Sequence, residues 1–219
     1  MVPLMATPTN LNNSGLFGSL LRSQVYEYLR NELKNGNMKP GMFVSINQIM
    51  KNLDLSRTPL RDALLQLQTE GFVTFLPQRG IQINELSQQD IEYMYEMLGA
   101  LDSRVLLSVF PRIGTPEIKK MKRLNQQMLG KISDSNFSRY WDINTAFHNT
   151  YLDLSFNIPI LHQINIVRQR LFEFGKKDWS GKMREMNYTE HRTMIELFEK
   201  GNAVEAADYM RDEHCVINW

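Results

Sequence analysis

Three of the four histidines lie at positions where helical spacing turns a side chain toward the interior of a protein. Each shares an apolar stripe, at three- and four-residue intervals, with large hydrophobic side chains. The three are His148, His191 and His214. Because imidazoles that converge from different helices of a bundle can bind a divalent metal, these residues are candidate metal ligands. A histidine on an apolar face is also typical of an ordinary core residue with one hydrogen bond, so both interpretations are open.

A second candidate site is a set of cations at the start of a short helix in the N-terminal part of the chain. Arg57 and Thr58 follow Ser56 directly, Arg61 lies about one helical turn further along, and all three lie opposite the apolar stripe of that helix. A guanidinium presents a planar fork of donors that pairs with guanine edges or phosphate, and the free amides at a helix N-terminus bind phosphate too. The set predicts contact with DNA, whereas any one of these arginines alone is equally typical of a solvated helix face.

The elements around these cations are typical of a winged helix-turn-helix. Apolar residues at helical spacing predict a helix from Leu16 to Lys34, and Ser45 with Gln48 predicts a capping box that starts a second helix. A third helix, capped by Ser56 or Thr58, buries an apolar stripe. The stripe consists of Leu60, Ala63, Leu64 and Leu67.

A β-hairpin is predicted after the third helix. Phe72 to Leu76 and Ile81 to Asn84 have the pattern of strands, and the turn over residues 77–80 joins them. A hairpin in this position, the wing, can reach phosphate or the minor groove. Arg79 adds a cation at its tip, and Gly80 has no side chain to hinder close approach to a duplex, although a tight turn alone also favours glycine.

Beyond Glu85 the pattern changes to helices alone, with short breaks, one of them at Gly175. The predicted helices span residues 87 to 110, 116 to 131, 136 to 155, 158 to 176, 182 to 200 and 203 to 217. The predicted fold class is mainly α, with an N-terminal winged helix-turn-helix that carries a small β-hairpin wing and a C-terminal all-α helical bundle. We divide the chain into a flexible arm at 1–15, a DNA-binding domain at 16–85 and a helical domain at 86–219.

Composition says less about the partner than these motifs do. The chain of 219 residues has a formal net charge of +1, and residues 1 to 85 hold eight Lys or Arg against six Asp or Glu. The single cysteine, Cys215, excludes an intramolecular disulfide and fits a reducing compartment. No apolar run approaches the roughly 20 residues that span a bilayer, and the N-terminus lacks the order of a signal peptide. We therefore expect a cytoplasmic protein without a membrane partner.

The N-terminal motifs, taken together, resemble the GntR family of transcription regulators over residues 20 to 85. The matching stretches are Met38 to Gly41, Leu55 to Leu64, Glu70 to Val73 and Pro77 to Gly80. The resemblance implies that Ser56, Arg57, Thr58 and Arg61 occupy DNA-contact positions, and that Gly80 lies at the minor groove.

The C-terminal part resembles the FCD effector domain of FadR-type members of that family, in its shorter, six-helix VanR-like form. The matching stretches are Asn144 to His148, Glu190 to Ile195, Gly201 to Ala207 and Met210 to His214. In many relatives a carboxylate at the position of Asn144 joins histidines at the positions of His148, His191 and His214 to bind a divalent metal. The resemblance implies such a metal here, zinc, nickel or manganese, with weakened affinity because an amide brings no negative charge.

A metal with three imidazole ligands has open coordination positions. The family resemblance implies that the carboxylate of a small organic acid occupies them. Arg168 and Arg170 are candidate effector-binding residues for that anion. An equally open interpretation is that both are exposed charges on the fourth helix of the bundle. His162 lies outside the pattern, and we predict a structural role for it.

The predicted function is that of a homodimeric transcription regulator, not an enzyme, which binds a pseudo-palindromic operator in double-stranded DNA and responds to a small organic acid. Two alternatives remain open. A metal-dependent hydrolase would use bound metal to activate water, although no convincing general base accompanies the histidines. A structural DNA-binding protein would use its helical domain for dimerisation alone and would not respond to a ligand.

Overall fold

The computed structural model of the chain describes residues 15–134, 137–174 and 180–217. The chain divides between Glu85 and Leu86 into two compact units, each with its own core. The predicted arm lies outside the described residues apart from Gly15, and so does the predicted helix break at Gly175. The predicted fold class is confirmed, because a small winged helix-turn-helix is followed by a bundle of helices.

The first unit combines helices with a small sheet. Its described elements are α1 Gly15–Lys34, β1 Phe43–Val44, α2 Ile46–Leu53, α3 Arg57–Thr69, β2 Val73–Leu76 and β3 Gly80–Ile83. β3 lies in the middle of the sheet and pairs antiparallel with both β1 and β2. Helix α1 packs on α3, and the four residues of the predicted α3 stripe are all buried.

The start of α2 differs in one detail from the predicted capping box. The Ser45 side chain accepts a hydrogen bond from the Gln48 amide at 3.4 Å, as expected for an N-cap. The Gln48 side chain does not return to Ser45, because its Nε2 donates to Oδ1 of Asn52 at 2.7 Å. The cap is therefore one-sided. Asp54, with a left-handed φ of 50°, ends the helix and begins the short turn to α3.

Gly80 is required by the packing of the sheet. Its φ of +104° is one that residues with a side chain rarely adopt, and a Cβ there would lie 2.4 Å from the carbonyl oxygen of Val44 on β1. A residue without a side chain is therefore needed for β1 and β3 to approach each other, whatever this turn does at a duplex.

The second unit is a helical bundle. Its described helices are α4 Gln88–Val109, α5 Thr115–Leu129, α6 Phe137–Leu152, α7 Ile158–Phe174, α8 Gly181–Lys200 and α9 Ala203–Tyr209. Helix α4 packs against α6, α7 and α9, while α5 packs against α6 and α8. None of the helices in the described part of the chain combines the length and the apolar content that crossing a membrane requires.

The predicted last helix, residues 203 to 217, is wrong in its second half. The α-helix ends at Tyr209 and continues as a π-helical turn over Met210–His214. The wider turn is marked by the bond from the Cys215 amide to the Met210 carbonyl, 3.1 Å and five residues apart. Apolar periodicity did not reveal this insertion, because one short turn changes the period too little to register in a sequence. His214 lies within the turn.

Candidate metal centre and DNA interface

The three histidines predicted as metal ligands come together in the bundle. His148 lies on α6, His191 on α8 and His214 on the π-helical turn. The Nε2 atom of His148 is 3.3 Å from Nε2 of His191 and 3.3 Å from Nε2 of His214. For comparison, tetrahedral zinc with Zn–N bonds of ~2.05 Å separates its ligand atoms by about 3.3 Å. The spacing of the imidazole nitrogens therefore fits a divalent metal.

Hydrogen bonds to the opposite ring nitrogens orient two of these imidazoles. The Tyr151 hydroxyl donates to Oδ1 of Asp102 at 2.6 Å, so its oxygen accepts from Nδ1 of His148, 3.1 Å away. The Glu190 carboxylate accepts from Nδ1 of His214 at 2.8 Å. We infer from its partner that the His148 ring carries its proton on Nδ1 and presents a lone pair at Nε2. This lone pair is available to a cation shared with the other two rings.

His191 is held by stacking. Its ring lies 3.8 Å from that of Phe147, centroid to centroid, at an angle of 7°. Burial, and then the charges of neighbouring groups including Arg168, hold the pKa values of His148 and His191 well below the ordinary histidine value. Both rings are therefore neutral near pH 7, which is the form that binds a metal.

Asn144 lies one turn before His148 on the buried face of α6. Its Oδ1 atom is buried and has no hydrogen-bond partner among the residues that the structure describes. Buried polar atoms are rarely left without a partner, so an unpaired carbonyl oxygen beside the histidines is a second observation that fits a metal. An amide oxygen can serve as an additional ligand, without the charge of a carboxylate.

A cavity of about 60 Å³ borders this cluster. Its polar wall is formed by Asp102, Asn144, His148, Arg168, Glu190 and His214. Much of the remaining wall is apolar and includes Leu98, Trp141, Met183, Met186 and Ile217. Since one water needs about 10–15 Å³ of such space, the cavity has room for a small molecule. An apolar pocket with a few convergent polar groups is typical of a ligand site.

The two arginines predicted to bind an effector are placed differently. Arg168 lines the cavity, is buried and pairs with Oδ2 of Asp102 at 2.5 Å, so it is not an exposed charge. Arg170 does not belong to the cavity lining among the described residues, and burial lowers the pKa of its guanidinium, an effect that nearby Asp90 opposes. The structure therefore brings Arg168 to the site but not Arg170. His162 is exposed on α7 and lies outside the histidine cluster.

Sequence reasoning missed the supporting residues Asp102, Tyr151 and Glu190. A signal was available for Asp102, because it occupies a position on the buried face of α4 between Leu98 and Val105. A carboxylate is rarely buried unless it is paired, so its place in an apolar stripe predicts a partner. The sequence does not identify that partner, Arg168, which is 66 residues further along the chain.

The N-terminal site lies at the start of α3. Ser56 is the N-cap by backbone conformation, but its side chain forms no capping hydrogen bond. Ser56, Arg57, Thr58 and Arg61 are all exposed, on the side of α3 opposite its buried stripe. Neither Arg57 nor Arg61 forms an ion pair with a described residue. This end of α3 therefore offers free guanidinium groups, a hydroxyl and helix N-terminal amides to a polyanion.

The tip of the wing adds a further cation. Arg79 is exposed in the turn between β2 and β3, and Gly80 follows it at the start of β3. The turn is closed by a hydrogen bond from the Arg79 amide to the Leu76 carbonyl at 3.2 Å, and Gln78 has a positive φ of 61°. The Arg79 side chain thus projects from a defined hairpin.

Comparison with known proteins finds a match for each unit. Residues 21–83 match the family described as bacterial regulatory proteins, gntR family, and residues 93–213 match the FCD domain. YdhC of Bacillus subtilis (strain 168), an uncharacterised HTH-type transcriptional regulator, is 23% identical over 192 residues, 85% of this chain and 84% of that protein. The HTH-type transcriptional repressor GlaR of Escherichia coli (strain K12) is 24% identical over 200 residues, 85% of this chain and 89% of that protein.

A solved structure shares the fold. E. coli McbR/YncC has a TM-score of 0.70 to this chain at 16% sequence identity, and the match covers 89% of this chain and 93% of that one. At this identity the likeness concerns the architecture alone.

Proposed function

Because the chain belongs to the GntR family of bacterial regulatory proteins and carries an FCD domain, we propose that it is a homodimeric, ligand-responsive regulator that binds an operator. Its matched families and relatives are regulators of transcription and not enzymes. In this proposal the start of α3 and the wing bind DNA, and the bundle binds a small organic acid beside a metal. The observation that carries the ligand response is the convergence of three Nε2 atoms, two of which belong to histidines that line a cavity, His148 and His214.

Contact with DNA is supported by the exposure of unpaired cations at a helix N-terminus. Arg57 and Arg61 are available to base edges or phosphate, and the hydroxyl of Ser56 is not occupied by capping. Arg79 and Gly80 at the wing are proposed to approach the minor groove, and Thr58 to contact the backbone. Phosphate contacts position the protein, whereas guanidinium contacts to bases supply sequence discrimination.

Selection of bound genomic fragments would define the operator, and the Arg57→Ala variant then tests the DNA site. The matched control is Arg123→Ala, which removes an exposed arginine of α5. A guanidinium contact to a base contributes about 1–3 kcal/mol, so Arg57→Ala should weaken operator binding by roughly 5- to 150-fold while Arg123→Ala leaves it unchanged. Equal binding by the wild type and Arg57→Ala would remove Arg57 from the interface.

Metal binding is supported by the fit described above, with His148, His191 and His214 as ligands and Asn144 as a further oxygen donor. A divalent ion at this point would supply positive charge and open positions for a carboxylate oxygen. Burial keeps the imidazoles of His148 and His191 neutral, and hydrogen bonds to Tyr151 and Glu190 orient the rings of His148 and His214. Arg168 is a candidate for direct contact with the effector, since it lies in the cavity wall.

Elemental analysis of purified protein, before and after His191→Ala, tests the metal site. His162→Ala serves as the matched control, because His162 is exposed and outside the cluster. We expect about one divalent ion per chain in the wild type and the control, and a large loss in His191→Ala. A metal-free wild type that still responds to its effector would reject the metal.

The proposed homodimer is supported by an exposed face of α4. Tyr93, Met97 and Leu107 are exposed there, with Ala100 and Arg104 completing a stripe at alternating four- and three-residue intervals. Exposed hydrophobic side chains in a continuous stripe are typical of an interface. We call these five residues the α4 stripe.

The occupant that suits the α4 stripe is a second copy of the chain. A two-fold axis through Ala100 would place Glu96 beside Arg104 of the partner subunit, because the two residues lie four positions on either side of Ala100. The same axis opposes Tyr93 and Leu107, each seven positions from Ala100. The face is thus complementary to itself in both charge and hydrophobicity, and the small side chain at the crossing permits close approach.

Charge exchange tests this dimer. Arg104→Glu would oppose two carboxylates and should shift sedimentation equilibrium toward monomer, while the double variant Glu96→Arg/Arg104→Glu should restore the dimer. A wild type that remains monomeric at tens of micromolar, or a dimer that is indifferent to Arg104→Glu, would contradict the assignment of this face. In the dimer, a coupling of about 1–3 kcal/mol between cavity and operator would change operator affinity by roughly 5- to 150-fold.

A further inference from the structure

The charges in the cavity wall indicate which anions the site accepts. Among the described residues that line it, two carry a carboxylate, Asp102 and Glu190, and one carries a guanidinium, Arg168. The formal charge of this wall is therefore one positive against two negative, or −1. A divalent ion on the histidines would bring the total to +1.

The single cation of this wall is already paired. Arg168 is buried, with its NH2 group 2.5 Å from Oδ2 of Asp102. Asp102 is fully buried and also accepts from Tyr151, so its charge is fixed in place by two hydrogen bonds. Arg168 can still donate a hydrogen bond to a ligand, but its charge is offset and does not favour a further anionic group.

Asn144 adds no charge to the wall, although its unpaired Oδ1 atom is an acceptor. Glu190 is bound to Nδ1 of His214 and leaves its negative charge at the cavity edge. A second carboxylate on a ligand would therefore meet Asp102 or Glu190 without an unpaired described cation to oppose it. Burying an uncompensated charge is costly. A monocarboxylate has no second negative charge, so this cost applies only to a dicarboxylate.

Resting on the proposed function, we propose that the effector is a short-chain monocarboxylate with an uncharged remainder, and that Asp102 and Glu190 exclude dicarboxylates. One carboxylate neutralises the total of +1, whereas two would leave the buried site negative. The uncharged remainder suits the apolar wall formed by Leu98, Met183 and Ile217. Flexible methionine side chains adapt to different short chains, so selection by charge would be sharper than selection by length.

Succinate and succinamate provide the matched probes. They have the same number of non-hydrogen atoms and the same chain, and they differ by one charge. Calorimetric titration into the zinc-loaded full chain should give at least tenfold tighter binding of succinamate than of succinate. Butyrate, with a methyl group in place of the second carboxylate, should bind like succinamate.

Two substitutions at separate places test whether charge is the cause. Asp102→Asn and Glu190→Gln each remove one negative charge and keep a hydrogen-bond acceptor, so each should reduce the preference for succinamate by about tenfold or reverse it. Zinc content and circular dichroism of each variant are measured in parallel. A variant that loses zinc or unfolds is set aside, and the test then uses the other variant. Where both variants fold and hold zinc, a change in only one of them would indicate a local steric effect and overturn the charge argument; where only one does, an unchanged preference in that variant overturns it.

The outcomes separate this inference from the proposed function. Succinate binding as tightly as succinamate, or binding of neither acid by zinc-loaded protein, overturns the inference. The proposed function survives those results if another small acid alters operator binding. Protein that holds no metal, and whose operator binding no acid alters, overturns the proposed function and the inference with it.

Discussion

The Tyr151 hydroxyl connects His148, a proposed metal ligand, to the buried carboxylate of Asp102, and we expect its removal to have effects of defined size. In Tyr151→Phe, Asp102 loses a hydrogen bond of 2.6 Å and Nδ1 of His148 loses its acceptor at 3.1 Å. A bond to a charged group is worth about 1.5–3 kcal/mol and an unsatisfied buried donor costs about 1–3 kcal/mol, so we expect a destabilisation of about 2.5–6 kcal/mol. Because His148 is no longer held in one tautomer and orientation, metal affinity should fall by roughly 10- to 100-fold.

The matched control is Tyr140→Phe on the same helix. Tyr140 is as fully buried as Tyr151, and its hydroxyl lies 3.0 Å from the Arg184 carbonyl oxygen and 2.9 Å from Oδ1 of Asn187, two residues outside the histidine cluster. Urea unfolding in the presence of chelator should show that both variants are destabilised. Competition with a chromogenic zinc chelator at pH 7 should show weaker metal binding in Tyr151→Phe alone. If the two variants bind zinc equally well, the role assigned to Tyr151 is refuted.

Two further predictions concern stability. In urea unfolding, Gly80→Ala should destabilise the first unit by more than Gly36→Ala does. Both glycines have a positive φ, but of the two only Gly80 would bring a Cβ against a carbonyl oxygen, that of Val44. Equal losses of stability in the two variants would mean that the structure relieves this clash. In metal-free protein the depressed pKa values of His148 and His191 mean that the unfolded chain binds protons more readily. Stability should therefore fall as the pH drops below about 6.5, by up to about 1.4 kcal/mol per pH unit for each histidine, and a flat profile between pH 7 and 5 would contradict their burial as neutral rings.

The sequence predicted the fold because its local signals agree with one another. The α3 stripe recurs at helical spacing, its first turn contains Pro59, and Gly71 follows its end with a left-handed φ of 79°. The inward placement of two of the clustered histidines was predicted for a similar reason, since His148 and His191 each lie on a clearly periodic helix. Residues whose role follows from their place on a single helix could be found in this way.

The rest depends on contacts between distant segments, which periodicity does not contain. The pairing of Asp102 with Arg168 joins α4 to α7, and the hydrogen bond of Tyr151 joins α6 to α4. Arg168 and Arg170 look equivalent in the sequence, yet the two-residue difference turns one into the cavity and leaves the other outside it. Gly80 was interpreted through its approach to DNA, whereas the contact that requires it is with Val44 on a strand 36 residues earlier.

Helix α4 carries both surfaces that the proposed regulation has to connect. One face contributes Leu98 and Asp102 to the cavity, and the opposite face presents the α4 stripe around Ala100. These positions lie within two residues of Ala100, or about 3 Å along the helix axis. A packed helix moves largely as a rigid body, so a ligand that displaces α4 at Asp102 would displace the proposed dimer contact in the same step. Coupling between effector and operator would then require no long chain of intermediate contacts within the bundle, because the helix proposed to contact the ligand is also the helix proposed to contact the partner subunit.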